Sequence, residues 1–258
     1  IGSINRKMLK KRIIGGIIVR RDIAVQSYNY KSYLPLGKPE ILVENLDNWG
    51  VDEIVLTVID RGNTGPDFDL LKKLKEYKIS TPLIYGGGIK TEEQASKVIG
   101  YGVERIILDS IIYEDIDNLE KIHNSLGAQA LVFSLPLVRE NNQIKFYNYK
   151  KNNFQFNENK IREILNKKYF SEIVLINVNG EGGSDGFDKL LFDYMRNITN
   201  IPFILFGGIC KTKHIVDCLG LENVSAVMLG NSLNYKEHNV YRLKKEINNK
   251  YIRKHNLR

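Results

Sequence analysis

The chain has 258 residues, a formal net charge of +8, 43% hydrophobic residues and 26% charged residues. This balance indicates a soluble globular protein with a full core, and it argues against a disordered chain. The longest apolar runs are far shorter than the roughly 18 residues that a membrane span needs, and the N-terminus lacks the apolar core of a signal peptide. We therefore expect a cytoplasmic protein with no membrane contact.

Lysine and arginine are spread along the chain and are densest at its two ends, in residues 6–12 and 242–258. No aromatic-rich binding motif accompanies them, so we expect a solvated terminal helix and no nucleic-acid partner. A basic balance also suits phosphorylated ligands. Cys210 and Cys218 are eight residues apart without a CxxC motif, which indicates reduced thiols, and we expect no metal and no cofactor.

Short apolar runs alternate with segments of helical periodicity along the whole chain. The predicted strands are 12–19, 53–59, 82–86, 105–109, 130–135, 172–178, 202–206 and 226–230. Helical spacing of apolar residues marks 39–50, 67–77, 91–102, 157–168 and 187–197. Eight continuously apolar strands, each followed by a helix, predict the α/β fold known as the (β/α)8 or TIM barrel. A doubly wound open sheet is the alternative.

The sequence also repeats itself. Residues 82–89, PLIYGGGI, and residues 202–209, PFILFGGI, share five of eight positions at an offset of 120. EIVLTVIDRGNTGPDFDLL from Glu53 matches EIVLINVNGEGGSDGFDKLL from Glu172 in the same way. This pattern predicts two half-barrel repeats, about 8–126 and 127–245. The alternating aromatic residues of about 138–156 have no counterpart in the first half and predict a hairpin insertion after the fifth strand.

Loops after the carboxyl ends of barrel strands form the ligand face of such a fold, and glycine lets the backbone approach a phosphate closely. Two phosphate sites, and hence a phosphorylated small molecule, are expected at these loops. The first site would comprise Gly87, Gly88, Asp109 and Ser110. The second would comprise Gly182, Gly183, Gly207, Gly208, Gly230 and Asn231.

Several longer motifs resemble one known family. MLKKRII at Met8, GVDEIV at Gly50, YGGGIKTEEQA at Tyr85 and GAQALV at Gly127 are similar to HisF, the cyclase subunit of imidazole glycerol phosphate synthase in histidine biosynthesis. The resemblance runs in order from Met8 to about residue 243. It implies a single barrel domain over 8–258, with residues 1–7 as a leader or as residues added for expression.

The resemblance implies a function as well as a fold. HisF proteins carry two phosphate sites on the C-terminal face of the barrel. They receive ammonia from a glutaminase subunit, HisH, that docks on the N-terminal face. The ammonia crosses the barrel and enters a cyclase and lyase reaction.

Four positions depart from the HisF pattern on the ligand face. The two aspartates that serve the family as general acid and base, at the ends of the first and fifth strands, are replaced by Ile18 and Pro136. Neither side chain transfers a proton. The loop lysine that would cover the substrate aligns with Gln26, and the aspartate of the second strand aligns with Val58. The resemblance thus predicts a scaffold without the usual cyclase acids.

The opposite face keeps the family pattern. The resemblance places a ring of alternating charges where ammonia enters, and Arg12, Glu53, Arg105 and Glu172 match its members in sign. Each begins a predicted strand, so we expect the four to encircle the N-terminal mouth at regular intervals. They would form an ammonia gate facing a HisH-like glutaminase.

Three functions follow from these two faces. The first is a HisF paralogue that conveys ammonia, as do proteins that help a sugar amidotransferase convert acetamido groups of surface sugars into acetamidino groups. The second is a true cyclase with relocated acids, for which Asp60, Asp109 and Glu181 are the candidates, although each more simply caps a loop or a helix. The third is a non-catalytic scaffold that binds a phosphorylated ligand. The related isomerase HisA fits less well, because it too needs acids at those two strand ends and has no use for the charge ring.

Overall fold

A computed structural model describes residues 10–148, 153–155, 158–234, 239–247 and 252–254. The expected leader lies outside the described residues, as do parts of the expected insertion, 149–152 and 156–157. Among the described helices, none has both the length and the apolar character that a membrane crossing demands.

The described residues form twelve strands and nine α-helices. The strands are β1 Arg12–Arg20, β2 Ile23–Tyr28, β3 Ser32–Gly37, β4 Glu53–Val58, β5 Leu83–Gly86, β6 Arg105–Leu108, β7 Leu131–Glu140, β8 Gln143–Asn148, β9 Asn153–Gln155, β10 Glu172–Asn177, β11 Phe203–Phe206 and β12 Val224–Leu229. The helices are α1 Pro39–Asn48, α2 Phe68–Glu76, α3 Glu92–Gly100, α4 Ile111–Glu114, α5 Ile116–Leu126, α6 Glu158–Asn166, α7 Lys189–Arg196, α8 Thr212–Leu219 and α9 Asn239–Ile247.

Eight of these strands close into a parallel barrel. Its order is β1, β4, β5, β6, β7, β10, β11 and β12, and β12 returns to pair with β1. The two predicted halves of the chain meet in a parallel ladder between β6 and β7, from Ile106 opposite Leu131 to Leu108 opposite Phe133. The predicted (β/α)8 barrel is confirmed. The open-sheet alternative is wrong, because closure leaves the sheet without a free parallel edge.

The barrel strands divide their side chains between two apolar layers, as the period of two requires. Outward-facing residues such as Ile13, Ile54 and Phe133 pack against the surrounding helices. Inward-facing residues, one from each strand, form a separate buried cluster that fills the lumen. They are Ile14, Val55, Ile84, Ile107, Val132, Val174, Ile204 and Ala226.

Two antiparallel ribbons extend the barrel beyond its C-terminal end. The end of β1 pairs with β2, and β2 pairs with β3, so that residues 18–37 form an antiparallel ribbon that the sequence did not predict. β7 continues to Glu140 and pairs with β8, which pairs with β9 in the segment where the sequence predicts an insertion. Both ribbons stand over the ligand face of the barrel and enlarge it.

The C-terminal helix α9 is less solvated than its sequence suggests. Val240 and Leu243 are buried, and the Lys244 ammonium is buried as well. Its Nζ donates to Asp52 Oδ1 at 2.8 Å and to the carbonyl oxygen of Gly50 at 3.0 Å. The expectation of a simply solvated terminal helix is therefore wrong for α9, since one face of this basic segment is anchored to the barrel.

Candidate functional site

The carboxyl ends of the barrel strands open into two adjacent cavities. The first cavity encloses about 690 Å³, and Gly87, Gly88, Asp109 and Ser110 all line it. The second cavity encloses about 600 Å³. Its wall contains every residue of the second predicted group, namely Gly182, Gly183, Gly207, Gly208, Gly230 and Asn231. The structure thus brings each predicted group together and keeps the two groups apart.

The glycine loops of the two cavities have the same local construction. Gly88 has a φ of +70°, and a Cβ there would lie 2.5 Å from the carbonyl oxygen of Gly65. Gly208 has a φ of +83°, and a Cβ there would lie 2.2 Å from the carbonyl oxygen of Gly186. Only glycine fits both the left-handed backbone and the contact with the neighbouring loop. The sequence repeat is therefore also a repeat of loop geometry.

Asp60 is exposed at the edge of the first cavity and serves a neighbouring turn. Its Oδ2 accepts a hydrogen bond from the backbone N–H of Arg21 at 2.7 Å. Arg21 and Asp22 form the tight turn between β1 and β2, both with left-handed φ angles. The contact is that of a loop cap, which is the simpler of the two roles expected for this residue.

Glu181 is buried between the loop after β10 and the turn between β2 and β3. Its Oε2 accepts from Ser27 Oγ at 2.9 Å and from the backbone N–H of Tyr30 at 3.1 Å. Its carbonyl oxygen accepts from the backbone N–H of Asn29 at 3.0 Å. Burial raises the pKa of Glu181 above the usual glutamate value, despite these hydrogen bonds. Glu181 thus fastens the first ribbon over the barrel mouth.

Asp109 faces the first cavity from the end of β6. Ser134 Oγ on β7 donates to Asp109 Oδ2 at 3.3 Å. The Tyr113 hydroxyl is buried and has no hydrogen-bond partner among the described residues. Burial, and then the negative charge of Asp109, raise the pKa of this hydroxyl. The side of the cavity formed by these three residues is a polar patch in a largely apolar wall.

No sequence signal predicted the aromatic lining of the first cavity. The two ribbons contribute these side chains, and the aromatic alternation of 138–156 indicated a hairpin without indicating what it covers. The aromatic residues from the ribbons are Tyr30, Tyr33, Phe146 and Tyr147. Lys211 and Arg242, which line the second cavity, were missed as well.

A cluster of ion pairs between two buried glutamates and two partly buried arginines occupies the other end of the barrel. Arg12 Nη1 contacts Glu53 Oε1 at 2.6 Å, and Arg12 Nη2 contacts Glu172. Arg105 Nη1 contacts the other carboxylate oxygen of Glu172 at 2.5 Å. Glu172 also accepts a hydrogen bond from the Ser225 hydroxyl. The structure therefore brings all four predicted gate residues together at the N-terminal mouth.

The ion pairs form an arc and not an evenly spaced ring. The four charged residues begin β1, β4, β6 and β10, which are the first, second, fourth and sixth barrel strands. The expectation of regular intervals is wrong for this reason. Between Glu53 and Arg105 the arc is open, and Glu53 Oε2 and Arg105 Nε are buried without a hydrogen-bond partner among the described residues.

The electrostatic environment differs along the arc. Burial disfavours ionisation of Glu172, but Arg12, Arg105 and Ser225 outweigh it and lower the pKa of Glu172. Burial dominates at Glu53, whose pKa is raised although Arg12 attracts its charge. Burial likewise opposes the charge of Arg12, but the two glutamates raise the Arg12 pKa. Glu172 is thus the well-compensated centre of the arc.

Comparison with known proteins agrees with this arrangement. Residues 12–239 match the histidine biosynthesis protein family. The chain belongs to this family. A putative imidazole glycerol phosphate synthase subunit hisF2 of Campylobacter jejuni is 30% identical over 215 residues, covering 83% of this chain and 86% of that protein. A subunit of the same name from Vibrio vulnificus is 27% identical over 252 residues, covering 94% and 90%.

An imidazole glycerol phosphate synthase subunit HisF of a Thermotoga species is 26% identical over 254 residues, which is 97% of each chain. The protein is thus a HisF-like barrel of the HisA/HisF family. Its similarity to the hisF2 proteins and to this HisF protein lies in the same low range. We conclude that it is a divergent paralogue within the family.

The two residues at the positions of the expected acids lie on the inner side of the barrel. Ile18 lies near the end of β1, lines the first cavity and belongs to the lumen cluster. Pro136 alternates along β7 with Val132 and Ser134, which face inward, so it lies on the same side. Val58 also lines the first cavity, and Gln26 accepts a hydrogen bond from the Tyr28 hydroxyl at 3.2 Å. The mouth of this HisF-like barrel is apolar at both positions of the expected acids.

The two cysteines are unpaired. Cys210 Sγ lies 4.0 Å from His214 Nδ1, while burial raises the pKa of Cys218 to about 12. Within the described parts of the chain, no cluster of three His, Cys, Asp or Glu side chains has the geometry of a metal site.

Proposed function

We propose that this HisF-like barrel receives ammonia from a HisH-like glutaminase at its N-terminal face and passes it to another acceptor without closing an imidazole ring. One contrast carries the proposal. The arc of Arg12, Glu53, Arg105 and Glu172 is retained at one end of the barrel, whereas Ile18 and Pro136 stand at the positions of the two cyclase acids at the other.

The buried arc favours a role beyond stability. Buried ion pairs lose hydration, and replacing them by apolar residues of similar size is often neutral or stabilising. Within the described part of the chain, Glu53 Oε2 and Arg105 Nε have no hydrogen-bond partner, which costs further free energy. These two groups on the open side of the arc are compatible with a gate that opens between Glu53 and Arg105. The apolar lumen beyond the arc suits neutral ammonia, whereas it would exclude ammonium, which needs compensating polar groups.

The C-terminal mouth argues against ring closure. The family reaction needs proton transfer at two places on the substrate. Of the three candidate replacement acids, Asp60 caps the turn at Arg21, and Glu181 holds the first ribbon. Asp109 alone among these candidates projects its carboxylate into the polar patch of the first cavity. One carboxylate does not replace an acid and a base on opposite sides of a substrate, so the relocated-acid cyclase is the less supported function.

The second cavity is the better anion site of the two. Gly182, Gly183, Gly207 and Gly208 contribute backbone to its wall, and Lys211 and Arg242 add positive charge. We assign a phosphate group of a small-molecule ligand to this cavity. We further propose that the ammonia is used to convert an acetamido group of a surface sugar into an acetamidino group by a separate amidotransferase, as the sequence resemblance suggests.

The test is a reconstitution with the HisH-like glutaminase of the same organism. We expect a stoichiometric complex on size-exclusion chromatography and faster glutamine hydrolysis in the complex than with the glutaminase alone. Glu222→Gln provides a matched control, because Glu222 pairs with Arg196 at 2.9 Å on the exposed side of the barrel. The Glu222→Gln variant should stimulate glutamine hydrolysis to the same degree as the wild type. The Arg105→Met variant should change the degree of stimulation. If the two proteins form no complex and glutamine hydrolysis is not stimulated, the proposal is refuted and the non-catalytic scaffold is favoured.

A further inference from the structure

Two barrel strands, β5 and β11, hold equivalent places in the two half-barrels. Residues 82–86, PLIYG, match residues 202–206, PFILF, at the offset of 120 that marks the sequence repeat. The carbonyl oxygens of Pro82 and Pro202 each accept a backbone hydrogen bond of 2.9 Å from the barrel strand before them, β4 and β10. A side chain on β5 can therefore be compared with its counterpart on β11 at the same level of the barrel.

The inward-facing positions of these two strands agree at the bottom of the barrel and differ at the top. Every second residue of a strand faces the same side. The inward line of β5 is Pro82, Ile84 and Gly86, and that of β11 is Pro202, Ile204 and Phe206. The prolines and the isoleucines coincide, but the third position is a glycine on β5 and a buried phenylalanine on β11.

We propose that ammonia crosses this barrel on one side only, along the inward line of β5, and emerges in the first cavity. The equivalent line of β11 stays closed at both ends. This inference rests on the function proposed above and deepens it. It names the residues that ammonia passes and the cavity in which the acceptor must present its reacting group.

The charged arc closes the β11 side of the N-terminal mouth and leaves the β5 side unbridged. The ion pair of Arg12 with Glu172 spans the starts of β11 and β12, and Ser225 also donates to Glu172. Among the described residues, no ion pair spans β5, because Glu53 and Arg105 on the flanking strands are the two ends of the arc. An entry beside β5 opens without breaking the centre of the arc.

The two ends of the arc carry groups that suit neutral ammonia. Glu53 Oε2 accepts hydrogen bonds and Arg105 Nε–H donates them, and within the described parts of the chain both are buried without a partner. Ammonia has N–H groups that donate and a lone pair that accepts, whereas an ammonium ion only donates. The β5 side thus offers ammonia both kinds of hydrogen bond before it enters the apolar lumen.

One layer of four fully buried side chains separates the arc from the first cavity. It consists of Ile14, Ile84, Val132 and Ile204, which come from alternate strands. The next layer consists of Val55, Ile107, Val174 and Met228, all of which line the first cavity. Only Met228 of these four also lines the second cavity. The lumen therefore opens into the first cavity.

The two sides of the lumen differ directly above the buried layer. On β5 the first cavity reaches the backbone of Gly86, and a Cβ there would lie 3.1 Å from the Cβ of Ile107, so any side chain would narrow the path. On β11 the next inward side chain above Ile204 is Phe206, which is only 6% exposed. The unbridged end of the arc and the position without a side chain thus lie on the same strand.

Methyl NMR of the wild-type chain, with dissolved oxygen as the probe, tests which side is open. Oxygen is small and neutral, and its paramagnetism speeds the relaxation of nearby nuclei. Ile84 and Ile204 are both 0% exposed and lie in one layer, so burial alone predicts equal enhancement at their δ1 methyl groups. We expect the enhancement at Ile84 to be at least about threefold that at Ile204, since occupancy follows the free energy of access. Ile84→Leu and Ile204→Leu assign the two signals.

A pair of variants tests whether Phe206 closes the β11 side. Phe206→Ala should raise the enhancement at Ile204 towards that at Ile84. Phe203→Ala is the matched control, because Phe203 is a buried phenylalanine of the same strand that faces outward to the helices. It should leave the enhancement at Ile204 unchanged. Thermal melting shows whether each variant is folded, and the wild-type comparison does not depend on either variant.

The outcomes separate this inference from the proposed function. Equal enhancement at the two isoleucines, a larger enhancement at Ile204, or none at either would overturn the one-sided path. An unchanged Ile204 signal in folded Phe206→Ala would overturn it as well. None of these results depends on the glutaminase, so ammonia transfer can stand if the path fails. Absence of a complex with the glutaminase would instead refute the proposed function, and with it ammonia as the molecule that uses the path.

Discussion

Glu172→Gln is expected to destabilise the protein far more than Glu53→Gln, although both substitutions neutralise a buried glutamate of the same arc. Glu172 accepts hydrogen bonds from Arg12, Arg105 and Ser225, and the two arginines lie on either side of it. Among the residues that the structure describes, Glu53 accepts a hydrogen bond only from Arg12, at 2.6 Å, and its second oxygen is buried without a partner.

The magnitudes follow from these contacts. Glutamine at position 172 has one carbonyl oxygen, and its amide group would face an arginine. Arg12 would lose one of its two counterions and Arg105 the only one it contacts within the described structure. Removing one partner from a buried ion pair typically costs about 3–5 kcal/mol. At position 53 the glutamine oxygen can still accept from Arg12, and the burial that raises the pKa of Glu53 no longer opposes a charge. We expect Glu53→Gln to change the free energy of unfolding by no more than about 1 kcal/mol.

Urea denaturation at pH 7 and thermal melting measure the difference. For a chain of this size, about 1 kcal/mol corresponds to roughly 2–4 °C in Tm, so Glu172→Gln should lower Tm by roughly 6–20 °C. Glu53→Gln should lower it by less than roughly 4 °C. Equal losses in the two variants, or a larger loss in Glu53→Gln, would show that the arc does not have Glu172 as its centre.

Three further predictions concern the rest of the barrel. Because burial raises the pKa of Glu181 above 4.5, ionising it costs stability, so wild type should lose stability relative to Glu181→Gln as pH rises from 4 to 7, measured by urea denaturation. Gly208→Ala should weaken phosphate binding and lower Tm, because the added Cβ would meet the carbonyl oxygen of Gly186. Gly100→Ala should raise the free energy of unfolding by roughly 0.5–1 kcal/mol, because Gly100 is helical and its added Cβ would have no atom outside its own helix within 4 Å. Lys244→Met should cost about 3 kcal/mol by leaving Asp52 with a buried, unpaired charge, and amide hydrogen exchange should show faster opening of α9.

The barrel strands were predictable because each is a short, continuous apolar run between charged or glycine-rich segments. The run predicted at 53–59 is β4, Glu53–Val58, and that predicted at 202–206 contains β11, Phe203–Phe206. Closure of the sheet into a barrel was predictable because the sequence contains eight strand-and-helix units. Local sequence sufficed here because strands of a buried parallel sheet are apolar on both faces.

The first ribbon was not predictable in the same way. Its turns, at Arg21 and Asp22 and again at Asn29 and Tyr30, place two consecutive residues in the left-handed region without any glycine. Two-residue hairpin turns of this kind are normally signalled by Asn-Gly or Asp-Gly, and that signal is absent. Contacts with the distant loop after β10 hold this ribbon in place instead.

The candidate site was predictable only in part, because some of its contacts join segments that are far apart in the sequence. Gly88 and Gly208 could be singled out because a left-handed backbone under a neighbouring loop leaves no choice of residue. The contact between Glu181 and Ser27 could not, since the two residues lie 154 positions apart and one belongs to the unpredicted ribbon. The signs of the charges in the arc could be inferred from resemblance. The gap between Glu53 and Arg105 depends on side-chain directions that only the structure provides.

The most direct test of the central claim is one reaction containing this protein, its HisH-like glutaminase, glutamine and the ribonucleotide substrate of imidazole glycerol phosphate synthase. Glutamate and imidazole glycerol phosphate are measured in the same samples, with an ordinary HisF–HisH pair assayed alongside. We predict stimulated glutamate formation without imidazole glycerol phosphate, because Ile18 and Pro136 supply no proton transfer. Formation of imidazole glycerol phosphate at the rate of the ordinary pair would contradict the account.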